Sequence, residues 1–140
     1  HLACQLADAA GETDKALKCY REASLAYPGA RALFYGHVEQ LLRARQVAAA
    51  LQLINVRLQS YSQEGRLYQL QAQAYAAQGN RLLHHRAQGE AYVRAGQLGA
   101  AVEQLQIALK AGGGDFYQLS AIEARLRELR RMQAEQDRKR

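Results

Sequence analysis

Gly11-Glu12-Thr13-Asp14-Lys15-Ala16-Leu17-Lys18-Cys19-Tyr20-Arg21-Glu22-Ala23, followed by Pro28, reads as a tight turn running into one amphipathic helix. Gly11 suits a turn that needs a positive φ. Thr13 is placed to cap the helix. Ala16 and Ala23 are small enough to let a second helix approach closely, and Tyr20 fills the space between them. Pro28 ends the helix and Gly29 helps the chain turn. The same pattern returns at a shift of 34 residues: Ala16 falls on Ala50, Leu17 on Leu51 and Tyr27 on Tyr61. Gly11, Arg45 and Gly79 then occupy one position, so the second unit carries Arg45 where the others carry glycine. A fixed period of this length signals a repeat architecture of stacked helical hairpins.

Working outward, the second unit contains helices over about 32–44 and 47–61. Phe34, Val38 and Leu41 line the first; Ala50, Leu51, Ile54 and Leu58 line the second. The third unit opens with Gly65-Arg66-Leu67-Tyr68-Gln69-Leu70-Gln71-Ala72-Gln73-Ala74-Tyr75-Ala76-Ala77-Gln78-Gly79 and continues in a helix over 81–95. The register then breaks. The next turn glycine, Gly96, comes 17 residues after Gly79, and Ala101, Leu105 and Ala108 follow it as Ala16, Tyr20 and Ala23 follow Gly11. The helix holding Gly89 and Tyr92 must therefore close one hairpin and open the next, and the stack is expected to bend or tighten there. Gly112-Gly113-Gly114 breaks the chain. Asp115, with Gln118 in capping-box position, starts a long last helix over 115–137. Phe116, Leu119, Ile122, Leu126 and Leu129 form its apolar stripe, and beyond Met132 it has nothing apolar to bury.

The repeat length and the small and aromatic positions resemble the tetratricopeptide family. The expected fold is all-α: one domain, a solenoid of such hairpins (about 1–29, 30–64, 65–95 and 81–111, two sharing a helix) with a capping C-terminal helix. Composition agrees: the 140 residues are rich in Ala, Leu, Gln, Arg and Glu, with one Pro and no Trp. By repeat register, a groove for protein partners is lined by Tyr35, Glu39, Leu42 and Arg43, by Gln69, Gln73 and Ala76, and by Arg86, Glu90, Val93 and Arg94. Amide and guanidinium groups of this kind suit extended polypeptide.

Motifs of self-contained chemistry are not found. HExxH is absent, and His84-His85 are adjacent, about 100° apart on a helix, where they cannot chelate a metal as an i, i+4 pair does. His1 and His37 are isolated. No nucleophile elbow, phosphate loop or dinucleotide fingerprint occurs. No cofactor or metal site is expected in this chain. Cys4 and Cys19 lie on the two helices of the first hairpin, facing one seam. They are read as two buried thiols, with a disulfide between them as the alternative in an oxidising compartment.

The net charge is +6. The last segment supplies about half of it: Arg125, Arg127, Arg130, Arg131, Arg138, Lys139 and Arg140 outweigh Glu123, Glu128, Glu135 and Asp137. No aromatic is interleaved with these charges after Tyr117, so nucleic acid is not an expected partner. No apolar run reaches the length of a membrane span.

The order of segments from Gly65 to Leu129 is similar to the C-terminal domain of periplasmic M48-type zinc metalloproteases of Gram-negative bacteria, the BepA-like β-barrel assembly-enhancing proteases. That resemblance implies a periplasmic protein with a signal peptide and an HExxH domain upstream of this fragment, where zinc would sit. It implies that this chain is the non-catalytic part, partnering its own protease domain and outer-membrane protein substrates or the barrel-assembly machinery. A stand-alone scaffold or co-chaperone subunit is the alternative. A third reading is a nucleic-acid or membrane-surface binder acting through the basic last helix.

Overall fold

The computed structural model describes residues 2–140, with side chains from Ala3 onward, so His1 lies outside the described residues. The described chain is helical throughout: α1 (Leu2–Ala9), α2 (Thr13–Ala26), α3 (Arg31–Arg43), α4 (Val47–Ser60), α5 (Gly65–Ala77), α6 (Arg81–Arg94), α7 (Leu98–Lys110) and α8 (Phe116–Arg138). The chain forms two compact units, one running to Val56 and the other covering Arg57–Arg140. Within each unit, helices adjacent in sequence pack on each other: α1 on α2 and α2 on α3, then α5 on α6, α6 on α7 and α7 on α8.

In the N-terminal unit α1 packs on α2 and α2 on α3. Cys4, Tyr20 and Leu33 form a buried cluster, with Cys19, Ala23 and Ala30 against it. Tyr20 reaches this place because α3 carries Gly36 opposite its ring. A Cβ at Gly36 would stand 2.5 Å from Tyr20 Cε1. Thr13 does not cap α2: Glu12 holds the N-cap position, and no side chain caps the helix.

The turn position repeats in geometry as well as in sequence. Gly11, Gly79 and Gly96 have φ of 76°, 73° and 76°, and Arg45 takes the same left-handed turn at 61°. In all four of these turns the residue after it also donates back to a carbonyl five residues upstream: Glu12 to Ala7, Gln46 to Leu41, Asn80 to Tyr75 and Gln97 to Tyr92, at 2.9–3.0 Å. This bond pattern is what forces the positive φ.

In the C-terminal unit α6 packs on both α5 and α7, and α7 packs on α8. So α6 meets a helix on each side. Two features make it work. Gly89 faces α7, where an added Cβ would lie 3.1 Å from Leu105 Cδ2 and 3.4 Å from the Ala101 carbonyl. The adjacent histidines then reach in different directions. His84 Nδ1–H donates to the Ala72 carbonyl of α5 at 2.8 Å, and His85 Nδ1 bonds Gln104 Oε1 of α7 at the same distance. The core gathers Leu82, Leu98, Ala101, Leu105, Ala108, Ile122, Leu126 and Leu129. Asp115 and Gln118 form the capping box of α8. The apolar stripe of α8 starts at Leu119, because Phe116 is 76% exposed.

Candidate functional site

The residues expected to share one groove fall into separate environments. In the N-terminal unit Tyr35 is 2% exposed and belongs to the core, not to an open surface. Its neighbour Phe34 meets it edge-on at 5.4 Å. Glu39 and Leu42 are half-buried. Arg43 is engaged within its own unit: Nη2 pairs with Asp8 of α1 and donates to Gln40 Oε1 at 3.0 Å. Gln40 itself is buried.

In the C-terminal unit Glu90 and Arg94 form an internal clamp. Arg125 of α8 grips the Glu90 carboxylate with two bonds, Nε to Oε2 at 2.9 Å and Nη2 to Oε1 at 3.0 Å. Arg94 Nη1 adds a third at 2.6 Å. The same Arg94 guanidinium donates to the Ser62 carbonyl from Nε at 3.1 Å and Nη2 at 2.9 Å, and to Tyr68 Oη at 3.0 Å. It lies 4.3 Å from the centroid of the Tyr68 ring, a cation–π contact, while Tyr68 Oη donates to Ser62 O. Burial would raise the Glu90 carboxyl, but hydrogen bonds from Arg125 and Arg94 and their charges overcome it and hold the group below the ordinary carboxylate range. The forked geometry explains why arginine occupies both positions.

Arg86, Glu90 and Arg94 were expected to line the groove; Glu90 and Arg94 are instead bonded to groups of their own unit. The three recur every four residues on the side of α6 turned towards α8. Arg86 and Glu90 border a small hollow of about 260 Å³ with Tyr68, Gln71, Ile122 and Arg125.

Gln69 and Gln73 do line a cleft, together with Ala76. It encloses about 610 Å³ between α5 and α6 and is completed by Ala72, His84, Gln88, Ala91, Tyr92, Ala95 and Gln97. Gln69 and Gln73 stand one helical turn apart on α5, and His84, Gln88 and Tyr92 continue in the same steps of four on α6. No acidic or basic side chain other than the imidazole of His84 lines it. The floor is small because Ala72, Ala76, Ala91 and Ala95 leave the backbones close. Its rim is four primary amides, each able to donate and accept. His84 spends Nδ1 on the Ala72 carbonyl, which fixes the ring within the wall. Gln88, Tyr92 and Gln97 were missed in the sequence. The steps of four from His84 to Tyr92, parallel to Gln69–Gln73, are the signal that could have found them.

Cys4 and Cys19 are joined by a disulfide with Cα atoms 5.3 Å apart, in place of the two expected thiols. The bond ties α1 to α2 across the seam that both residues were expected to face. Among the described residues no group of His, Cys, Asp and Glu could hold a metal ion, and no helix is long and apolar enough to cross a membrane. A scan against models of protein families finds no match to the chain, and a search of curated proteins finds none either.

Proposed function

We propose that this chain is a protein-binding module of tetratricopeptide type that takes an extended, uncharged stretch of polypeptide into the amide-rimmed cleft between α5 and α6. The observation that carries the reading is the pairing of Gln69 and Gln73 with Gln88 and Gln97 around an alanine floor. An extended backbone offers alternating N–H and C=O groups, and primary amides can satisfy both. Small floor residues let that backbone approach, and Tyr92 offers a ring for an apolar side chain.

The wider setting follows from the resemblance. The chain is proposed as the non-catalytic, substrate-engaging part of a periplasmic zinc metalloprotease acting in outer-membrane protein assembly. The Cys4–Cys19 disulfide supports an oxidising compartment, as bonds of this kind persist in secreted and periplasmic proteins. Zinc and its ligands would belong to the protease domain.

The cleft is tested by fluorescence anisotropy with labelled extended peptides taken from strands of outer-membrane barrels. Gln73→Ala should weaken binding by about 2- to 10-fold, the worth of a net hydrogen bond. Ala91→Arg should abolish it by filling the floor, while Arg86→Gln, on the other side of α6, should leave it unchanged. Equal affinity for Ala91→Arg and the parent chain would remove the cleft from consideration. The protease setting is tested separately, by reading the coding sequence upstream of His1 for a domain bearing HExxH.

A further inference from the structure

A second surface lies on α8, away from the cleft. Ile122, Leu126 and Leu129 bury one side of this helix. The opposite side carries Phe116 and Tyr117 in the first turn and Arg127, Arg131 and Arg138 further along, with Arg130 beside them. At 100° per residue these side chains fall within an arc of roughly 140°. Phe116 and Tyr117 are 76% and 80% exposed, and their rings meet edge-on at 5.8 Å. They neither enter the core nor cover another helix.

The charges on this side are not balanced from within. Arg125 is held by Glu90 and Glu128, and Arg138 by Glu135. Those pairs use up two of the four acids of the segment, Glu128 and Glu135. Arg127, Arg130 and Arg131 are exposed and take part in no ion pair among the described residues; Glu123 lies on the same side, and Glu128 and Glu135, already paired, lie at or beside its edge. The helix has 23 residues and so extends about 34 Å. The aromatic end and the arginine row are thus segregated along one exposed side.

We infer that this side of α8 docks on an anionic phospholipid surface, the two rings entering the headgroup boundary and the arginine row resting on lipid phosphates. Segregation favours a bilayer over single-stranded nucleic acid, which needs rings interleaved with the cations so that bases stack between phosphate contacts. Aromatic rings favour the headgroup level of a bilayer, and basic side chains beyond them on the same side can reach lipid phosphates. Arginine stems add apolar length that lies along the boundary while the guanidinium stays at phosphate level. Lipid attraction grows with each basic residue near the surface, so three arginines outside any ion pair, against the one unpaired acid Glu123 on that side, give a measurable preference for anionic lipid.

The test is co-sedimentation of the whole chain with vesicles of phosphatidylcholine alone, or of equal parts phosphatidylcholine and phosphatidylglycerol. The expected result is binding to the anionic vesicles only, weakening steeply as salt is raised. The triple variant Arg127→Gln, Arg130→Gln, Arg131→Gln should lose on the order of 100-fold in affinity. Phe116→Ser with Tyr117→Ser should weaken binding and leave its salt dependence in place. All five positions are exposed, and an unchanged far-UV circular dichroism spectrum shows that each variant is folded. Equal binding to neutral and anionic vesicles, or full binding by the triple variant, overturns the inference. So does tighter binding to a DNA duplex than to anionic vesicles at the same salt.

Discussion

Arg45 and Glu90 show how single residues stand apart from their repeat positions. Arg45 holds φ at 61° where its counterparts in other turns are glycine. A side chain with a Cβ is disfavoured there by about 1 kcal/mol or more. Arg45→Gly is therefore expected to stabilise the protein by about 0.5–1 kcal/mol after the entropy cost of glycine is set against that relief. A higher urea midpoint with an unchanged slope would record it. Glu90 is the opposite case, a charge whose removal is harmful. Glu90→Gln would leave two guanidinium groups partly buried without their carboxylate, at a cost of about 2 kcal/mol. The same urea titration reads that loss. If Glu90→Gln were as stable as the parent, the clamp would be an ornament of the surface rather than a tie between α6 and α8.

Among elements, α1 depends most on a single bond. It has eight residues, too few to hold helical structure alone. Its buried anchor is Cys4, and the disulfide to Cys19 closes a loop spanning 15 positions. A loop of that size stabilises by about 3 kcal/mol in the chain-entropy account. Reduction, or Cys4→Ser with Cys19→Ser, should accordingly raise hydrogen exchange in α1 first. Exchange in α7 and in the buried half of α8 is the internal reference. Uniform acceleration in all helices on reduction would contradict this assignment. The element α6 carries the contrasting lesson. Its bounds were legible because Gly79 and Gly96, 17 residues apart, mark the turns on either side of it. Which of its sides stays open was not, because that depends on α8 arriving over Arg86 and Glu90 from 35 residues away.

At the scale of the whole molecule, acid should act at two places with different thresholds. His37 is held below its ordinary pKa, first by burial and then by the nearby Arg21 charge. Its folded-state value lies under 6.5, so the unfolded chain binds the proton first. Stability from this group is complete above about pH 6.5 and declines as pH falls towards the depressed value. Glu90 is also depressed, but as an acid: its contribution is present above the unfolded carboxyl value and is lost as pH falls through the lower folded one. Stability should thus begin to fall near pH 6.5 through the N-terminal unit and again below about pH 4.5 through the C-terminal unit. Unfolding free energies across that range would show both steps. His37→Gln should erase the first and Glu90→Gln the second.

The sequence by itself determined the helices, their ends to within a residue or two, the turns at Gly11, Gly79 and Gly96 and the capping box at Asp115. All of these rest on local rules: helical periodicity, small residues at seams, and the left-handed turn that glycine permits. Gln69 and Gln73 could be placed on an open side for the same reason. Only the tertiary structure decided that Tyr35 is core, that Glu90 and Arg94 are consumed by Arg125, Tyr68 and Ser62, and that Cys4 and Cys19 are bonded. Those outcomes depend on which distant group arrives at a helix side, and the period of a repeat carries no record of that.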